Sequence, residues 1–218
     1  MTVKKTGNRR IDESKALWVV GSDEAGLGSW AGPLLVAAVA LTRDWQDLRV
    51  TDSKALSERR REALFDEFRD MLSVAAVAIQ PRTIDEMGVH KAVIMGHLRV
   101  IRKVLKELPG VTPLIVADGN LPLEEVGAIS LPKADALVPA VSMASIFAKV
   151  TRDRIMRKLA KRFPGYGLEV HKGYGTQAHQ VALQKLGPCF IHRKSYRPVA
   201  RSMEKIDQSA QFPWEIEE

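Results

Sequence analysis

The chain contains one cysteine, Cys189, among 218 residues. A disulfide framework within the chain and a cysteine-rich zinc site are therefore excluded, and a reducing cytoplasm is the expected compartment. Long apolar runs are missing as well. The longest, Pro33 to Leu41, falls far short of the roughly 20 residues that cross a bilayer. The N-terminus, MTVKKTGNRR, has charge but no apolar stretch behind it, so no secretory leader is expected. There is no internal repeat, no low-complexity tract and no His/Cys spacing that suits zinc. Hydrophobic residues make up 45% and charged residues 27%, which excludes a disordered chain. The length fits one large or two small domains, and one core is the simpler reading.

Charge is abundant but uneven. The net balance is +7, yet Lys149 to Arg201 holds 13 Lys/Arg against 2 Asp/Glu, a local +11. The last stretch, Met203 to Glu218, holds 5 acids and 1 Lys, a local −4. A basic block beside a neutral remainder suits a polyanionic partner, nucleic acid first. A solvated, basic helix surface is the plainer alternative, and charge alone leaves both open.

Residues 1–16 are polar and expected to be loose. LWVVGS (Leu17 to Ser22) predicts a short buried strand that ends at Asp23-Glu24. Gly26, Gly28, Gly32 and Pro33 predict a tight connection, and LLVAAVAL (Leu34 to Leu41) a second strand. Ser57 is placed to cap a helix over 58–71. SVAAVAIQ (Ser73 to Gln80) predicts a third strand, and Thr83 with Glu86 forms a capping-box pattern. Ile94, Leu98, Ile101, Leu105 and Leu108 trace one face of a helix over about 90–107, stopped by Pro109-Gly110. LIVAD (Leu114 to Asp118) predicts a fourth strand. Pro139 suits a first helical position, with the helix reaching about Arg162. Thr176 to Leu186 predicts a last helix, closed by Gly187-Pro188. Strands first, then strands alternating with helices, then helices, predict an α/β layered fold with a mixed sheet.

The chemistry signal is a set of acids at strand ends. Asp23 and Asp118 each follow an apolar strand. If those strands are parallel neighbours, both carboxylates emerge at the sheet end where open α/β sheets bind ligands. Glu24 follows Asp23 directly, and adjacent strand residues point to opposite faces. Glu24 thus joins Asp23 only if the chain bends there, which Ala25-Gly26 and Gly28 allow. Asp135 precedes the helix that begins near Pro139. Four acids drawn together repel one another unless a cation neutralises them. Mg²⁺ or Mn²⁺ suits hard oxygen ligands and leaves room for a phosphate. Two such ions, roughly 3.5–4 Å apart, support phosphodiester hydrolysis. For each acid taken alone, a turn or salt-bridge role is the plain alternative.

A competing pattern shares the stretch. Gly26-Leu27-Gly28-Ser29-Trp30-Ala31 matches the dinucleotide fingerprint G-x-G-x-x-A, with Asp52 downstream. That fingerprint must open a helix, whereas Gly32-Pro33 leads into an apparent strand.

The ordered motifs resemble those of type 2 ribonuclease H, ribonuclease HII. The matching residues are Asp23-Glu24-Ala25-Gly26-Leu27-Gly28 with Ala31-Gly32-Pro33, then Asp52-Ser53-Lys54, then Asp118-Gly119. Asp135 stands fourteen residues before Lys149, in a segment that continues Val150-Thr151-Arg152-Asp153. His171-Lys172-Gly173-Tyr174-Gly175-Thr176 follows, and then Gly187-Pro188 leading to His192-Arg193. Order and spacing hold from about 17 to about 200. The sister type 3 enzyme, which carries a sizeable extra N-terminal domain, fits less well.

The resemblance implies a ribonuclease H-like fold: a mixed five-stranded sheet flanked by helices, with a helical C-terminal extension at about 140–200 inside a catalytic domain at 17–200. Residues 201–218 are then an acidic tail. It implies an endonuclease that cuts the RNA strand of RNA–DNA hybrids and cuts 5′ to ribonucleotides embedded in duplex DNA, leaving 5′-phosphate and 3′-hydroxyl. Asp23, Glu24, Asp118 and Asp135 map onto the acids that hold two divalent ions, Mg²⁺ or Mn²⁺. On that resemblance Asp23 would hold both ions, and Asp135 would lie near the attacking water. Tyr174 maps onto a tyrosine that packs on the deoxyribose beyond the ribonucleotide. Gly26, Leu27 and Gly28 would approach the 2′-hydroxyl, and Lys54, Lys149, Arg152 and Lys172 occupy positions that face substrate or brace the acids. A structural ion pair is the equal alternative for Lys149. Arg193, Lys194 and Arg197 are further candidate phosphate contacts. His90 and His97 read as surface or packing residues, while His171 and His192 lie inside motifs with hydrogen-bonding or substrate roles open.

One departure stands out. The family usually has Gly-Arg-Gly where this chain has Gly26-Leu27-Gly28. Leucine cannot make the phosphate contact of an arginine, so altered junction preference is expected. The same departure sustains a rival reading, a catalytically weak or idle nucleic-acid-binding protein on the same scaffold. The expected state is a monomer away from membranes. Some relatives end in a peptide that docks on a sliding clamp, and the tail here lacks a clear match to it.

Overall fold

Trp18–Ala25 and Leu34–Thr42 form strands β1 and β2, paired antiparallel across the glycine-rich turn. Here the chain is seen in a computed structural model that describes residues 18–42, 56–70 and 72–210, with only the backbone for 204–210. Asp52, Lys54, the first 17 residues and 211–218 lie outside the described residues. β2 is buried at all nine positions, which is why it reads as an unbroken apolar run rather than an alternation. Because the turn leads into a strand and opens no helix, the dinucleotide reading of Gly26 to Ala31 is overturned.

The remaining elements follow in order: α1 (Glu58–Phe68), β3 (Ser73–Ile79), α2 (Pro81–Met87), α3 (Val89–Lys106), β4 (Leu114–Asp118), β5 (Ile129–Leu131), α4 (Pro139–Arg162), α5 (Leu168–His171), α6 (Gln177–Leu186) and α7 (Arg197–Ala210). Short 3₁₀ turns at Glu124–Val126 and Ala134–Ala136 flank β5. The sheet order is β3-β2-β1-β4-β5, with β4 parallel to both β1 and β5. This is the mixed five-stranded sheet flanked by helices that the motifs imply.

Local chemistry explains most boundaries. Ser57 Oγ accepts from Arg60 N at 3.2 Å, and Thr176 Oγ1 from His179 N at 3.2 Å, so both N-caps act as expected. Pro139 opens α4. Gly21, midway along β1, lets α4 press on the strand. A Cβ there would stand 2.2 Å from the Ala140 carbonyl carbon and 2.2 Å from Val141 N.

Other expectations need correction. β1 does not stop at Ser22; it runs through Asp23 and Glu24 to Ala25. Thr83 does not cap α2, which starts at Pro81 after Gln80 with no side-chain cap. Glu86 instead pairs with Arg82, one turn earlier. On α3 the buried stripe includes Val93, His97, Val100, Ile101 and Val104, with Leu108 buried just past the helix end; Ile101 and Leu108 are as expected, and the other expected positions are displaced by one. Ile94, Leu98 and Leu105 are only half-buried. β5 has just three residues, two of them exposed apolar side chains, so no run announces it. α7 passes through residue 200, where the sequence reading divides body from tail.

The described residues belong to two compact units. Of those residues, one unit takes 18–25, 35–42, 56–70, 72–78 and 93–151, and the other takes 26–34, 79–92 and 152–210. A core of the second gathers Ala31, Met156, Tyr166, Leu168, Ala182, Leu183, Ile191 and Val199.

Candidate active site

Ser22 of β1 stands level with Ala117 of parallel β4, so the next residues, Asp23 and Asp118, reach the sheet end side by side. Asp135 arrives from a different direction. Asp118 Oδ1 accepts from Ala134 N at 2.8 Å, which ties the 3₁₀ turn Ala134–Ala136 to the end of β4. Val116, Ala134 and Val141 pack together beneath that tie. Asp23, Asp118 and Asp135 thus bring carboxylate oxygens that all lie within 4.8 Å of one another. Asp23 and Asp135 are each 3% exposed.

The electrostatics of this group favour a cation. Burial first, then the charges of Glu24 and Asp118, push the Asp23 carboxyl up to about 8. Hydrogen bonds from Ser145 of α4 and from the Glu24 backbone N–H, the latter at 2.7 Å, oppose the rise without cancelling it. An all-oxygen, surplus-negative donor set of this kind fits a hard divalent ion. Lys149 is half-buried one helical turn beyond Ser145, on the same face of α4.

Glu24 stands outside that group of three. The strand stays regular through Ala25, so Glu24 shares a face with Ser22 rather than with Asp23. On that face lies His97 of α3. Its Nε2 is 3.2 Å from Glu24 Oε2, and its Nδ1 is 2.8 Å from Ser22 Oγ. The chain turns only after Ala25, where Gly26 has φ +88°.

The glycine turn belongs to the second unit and is held from below by two arginines. Arg152 is completely buried. It donates to Pro33 O at 2.9 Å and to Ala31 O at 3.2 Å, and a Cβ on Gly26 would fall 2.0 Å from its Nε. Arg193, also completely buried, donates to Gly32 O at 3.2 and 3.1 Å and to Leu27 O at 2.8 Å. Tyr196 donates its hydroxyl to the same Leu27 carbonyl at 2.6 Å. Backbone bonds Trp30 N to Gly173 O and Arg193 N to Trp30 O, both 2.8 Å, complete the frame. At the crest Leu27 is 43% exposed, and a Cβ on Gly28 would meet nothing within 4 Å.

A family model described as ribonuclease HII matches residues 20–199 of this chain. The chain belongs to the ribonuclease HII family. The protein named ribonuclease HII from Thermus thermophilus is 44% identical over 190 residues, covering 86% of this chain and 90% of that one. Among solved structures, the ribonuclease H2 of Pyrococcus horikoshii superposes with a TM-score of 0.69 at 26% identity, covering 88% of this chain and all of that one. Ribonuclease HII of Archaeoglobus fulgidus, solved in complex with PCNA, gives 0.70 at 28% identity over 84% of this chain and 96% of that one. Membership makes the chain an endoribonuclease of the hydrolase class.

Several site expectations change in this light. Arg152 has no surface to offer a phosphate; it braces the turn and lies with its guanidinium carbon 5.2 Å from the Tyr174 ring centroid. Burial lowers its pKa to about 10. Arg193 serves the turn in the same way rather than facing solvent. Tyr174 is 36% exposed, and Lys172, at φ +51°, donates from Nζ to Glu169 O at 2.5 Å. His171 and His192 have structural partners: His171 Nε2 is 2.7 Å from Tyr166 O, and His192 Nε2 is 3.1 Å from His179 Nε2. His90 is exposed. Ser22, His97 and Ser145 escape sequence reasoning. His97 is legible only once the stripe is registered on Val93, Val100, Ile101 and Val104, because a polar residue there asks for a buried partner.

Proposed function

We propose that the chain hydrolyses the RNA strand of RNA–DNA hybrids and cuts 5′ to ribonucleotides embedded in duplex DNA. The observation that carries this reading is the group of Asp23, Asp118 and Asp135, whose oxygens lie within 4.8 Å of one another. Those three residues would hold divalent ions, Mg²⁺ or Mn²⁺, two when substrate is bound, with Glu24 contributing from the opposite face of β1. Such ions, when bound, lower the pKa of water and neutralise charge on the scissile phosphate. Water then adds to phosphorus as the bond to the 3′-oxygen breaks, leaving a 3′-hydroxyl upstream and a 5′-phosphate on the ribonucleotide.

The chain's own residues bind and orient. Asp135 sits next to Ala134, whose backbone N–H donates to Asp118 at the end of β4. Lys149, on the Ser145 face of α4, would meet a phosphate. The crest of the glycine turn has open space over Gly28 and a Leu27 carbonyl already held by Arg193 and Tyr196. Its backbone groups other than that carbonyl would meet a 2′-hydroxyl, the group that tells RNA from DNA. Tyr174, with a guanidinium beneath its ring, offers its exposed side to a sugar. Leu27 in place of arginine removes one phosphate contact and shifts preference among junctions. The tail sequence offers no support for docking on a sliding clamp.

The test is a DNA duplex with a single ribonucleotide, incubated with purified protein and Mg²⁺ or Mn²⁺. A nick on the 5′ side of the ribonucleotide is expected. Asp118→Asn should abolish it while leaving the circular dichroism spectrum unchanged. Absence of nicking with either ion, by protein that binds the duplex, would establish the idle-binder reading instead.

A further inference from the structure

We propose that His97 is a positioning residue for the metal-binding carboxylates and acts through Glu24. The inference rests on the reading that Glu24 serves the ions, and it explains how a side chain on the opposite face of β1 from Asp23 is kept in place to do so.

His97 occupies a stripe position on α3 where apolar neighbours Val93, Val100, Ile101 and Val104 are all buried. It is completely buried itself, as is Ser22. Two ring nitrogens placed in such a setting cost free energy unless each finds a partner. Both do, and both partners come from one strand. Ser22 Oγ lies 2.8 Å from Nδ1 and Glu24 Oε2 lies 3.2 Å from Nε2. Residues two apart on a strand share a face, so one imidazole bridges them. When Nε2–H donates to the carboxylate, Nδ1 accepts from the Ser22 hydroxyl, and that bond fixes which nitrogen carries the proton.

A ring anchored at both nitrogens cannot rotate without breaking a buried hydrogen bond. Its hold on Oε2 therefore fixes the Glu24 carboxylate, whose side chain is 19% exposed, and leaves one oxygen to offer outward. Outer partners of this kind orient metal-binding carboxylates, and their loss typically lowers metal affinity by about 10- to 100-fold. Packing alone would be served as well by methionine at this position.

The test uses the full chain and two readouts: Mn²⁺ binding by titration calorimetry, and hybrid cleavage as a function of Mn²⁺. His97→Met should raise the Mn²⁺ dissociation constant and half-saturation by about tenfold, with a smaller change in rate at saturating Mn²⁺. His97→Gln, whose amide can donate, should recover part of the loss. In a Glu24→Gln background, His97→Met should add nothing. If Glu24→Gln weakens Mn²⁺ binding while His97→Met leaves it untouched, His97 only packs, and the proposal falls with the acid site intact. If Glu24→Gln itself changes nothing, the role given to Glu24 fails and the proposal with it. Should His97→Met not fold, Ser22→Ala removes the anchor at Nδ1. A weakening of Mn²⁺ binding there supports the proposal, and unchanged binding overturns it.

Discussion

Asp23 keeps its proton to about pH 8 in the folded, metal-free chain because burial and the neighbouring charges of Glu24 and Asp118 disfavour the anion. Unfolded, the same carboxyl ionises near its ordinary value of 3.8. Between those limits the native state binds a proton that the unfolded state has lost. The stabilising contribution is thus complete below about pH 4 and disappears as pH rises through about 8. A bound divalent ion takes over the proton's role, so its binding should release protons and strengthen with pH. Thermal melts at pH 6 and pH 8.5 without metal should show the loss. Asp23→Asn should reduce the difference, and Mn²⁺ should stabilise more at the higher pH. At this scale Asp23 and Asp118 are legible in the sequence because each ends an apolar strand, and Asp135 because it precedes the helix that opens at Pro139. The place of Glu24 is not, because it turns on whether β1 bends before or after Ala25, and nothing in DEAGLG decides that.

The contact of α4 with β1 shows how closely elements can approach when a side chain is absent. Gly21→Ala would drive a Cβ to 2.2 Å from backbone atoms of the first turn of α4. The helix must move, at a cost of about 1–3 kcal/mol. A lower melting temperature and reduced cleavage are expected together, since the same helix carries Ser145 to Asp23. In the second unit, α5, α6 and the segment before α7 meet in a stack of histidines. His171 and His179 rings stack at 4.5 Å, and His179 faces His192 nitrogen to nitrogen at 3.1 Å. Burial, then the neighbouring His179, lowers His192 to about 4 from an ordinary 6.5. Here the unfolded state binds the extra proton, so stability is full above about pH 6.5 and is lost as pH falls toward 4. The loss is on the order of 3 kcal/mol. Melts at pH 7 and pH 4.5 should reveal it, and His192→Gln should flatten the profile. α1, α3, α4 and α6 are readable from caps, periodicity and stop signals, whereas the start of α2, and α5, β5 and α7, are not. β5 is three residues held by pairing with β4, and α7 runs into the stretch whose charges suggest only a loose tail.

Across the whole molecule, charge and shape are legible to different degrees. The carboxylate reading requires the strands that end in Asp23 and Asp118 to be parallel neighbours, and the sheet has β1 and β4 in that relation. The basic block of 149–201 resists a simple reading, because its members divide by burial. Arg152 and Arg193 are completely enclosed and bond to carbonyls, while Arg162, Lys185, Lys194 and Arg197 are exposed. Counting charges therefore overstates what is available to a polyanion. Leu27→Arg would add one cation at an exposed crest whose backbone is held independently of the side chain. Affinity for hybrid should rise, and the slope of log affinity against log salt should steepen by about 0.9. An unchanged slope would mean that position 27 does not reach a phosphate.

The regular pleat of β1 has a consequence for how this protein can vary. Alternate residues of one short segment serve two neighbours, with Gly21 and Asp23 turned to α4 and Ser22 and Glu24 to α3. Point substitutions change one tenant at a time. An inserted or deleted residue within the strand would exchange the two sides at once, burying a carboxylate against the Val93–Val104 stripe and presenting a serine to the ion site. The length of this segment should accordingly be far less free to drift than its composition.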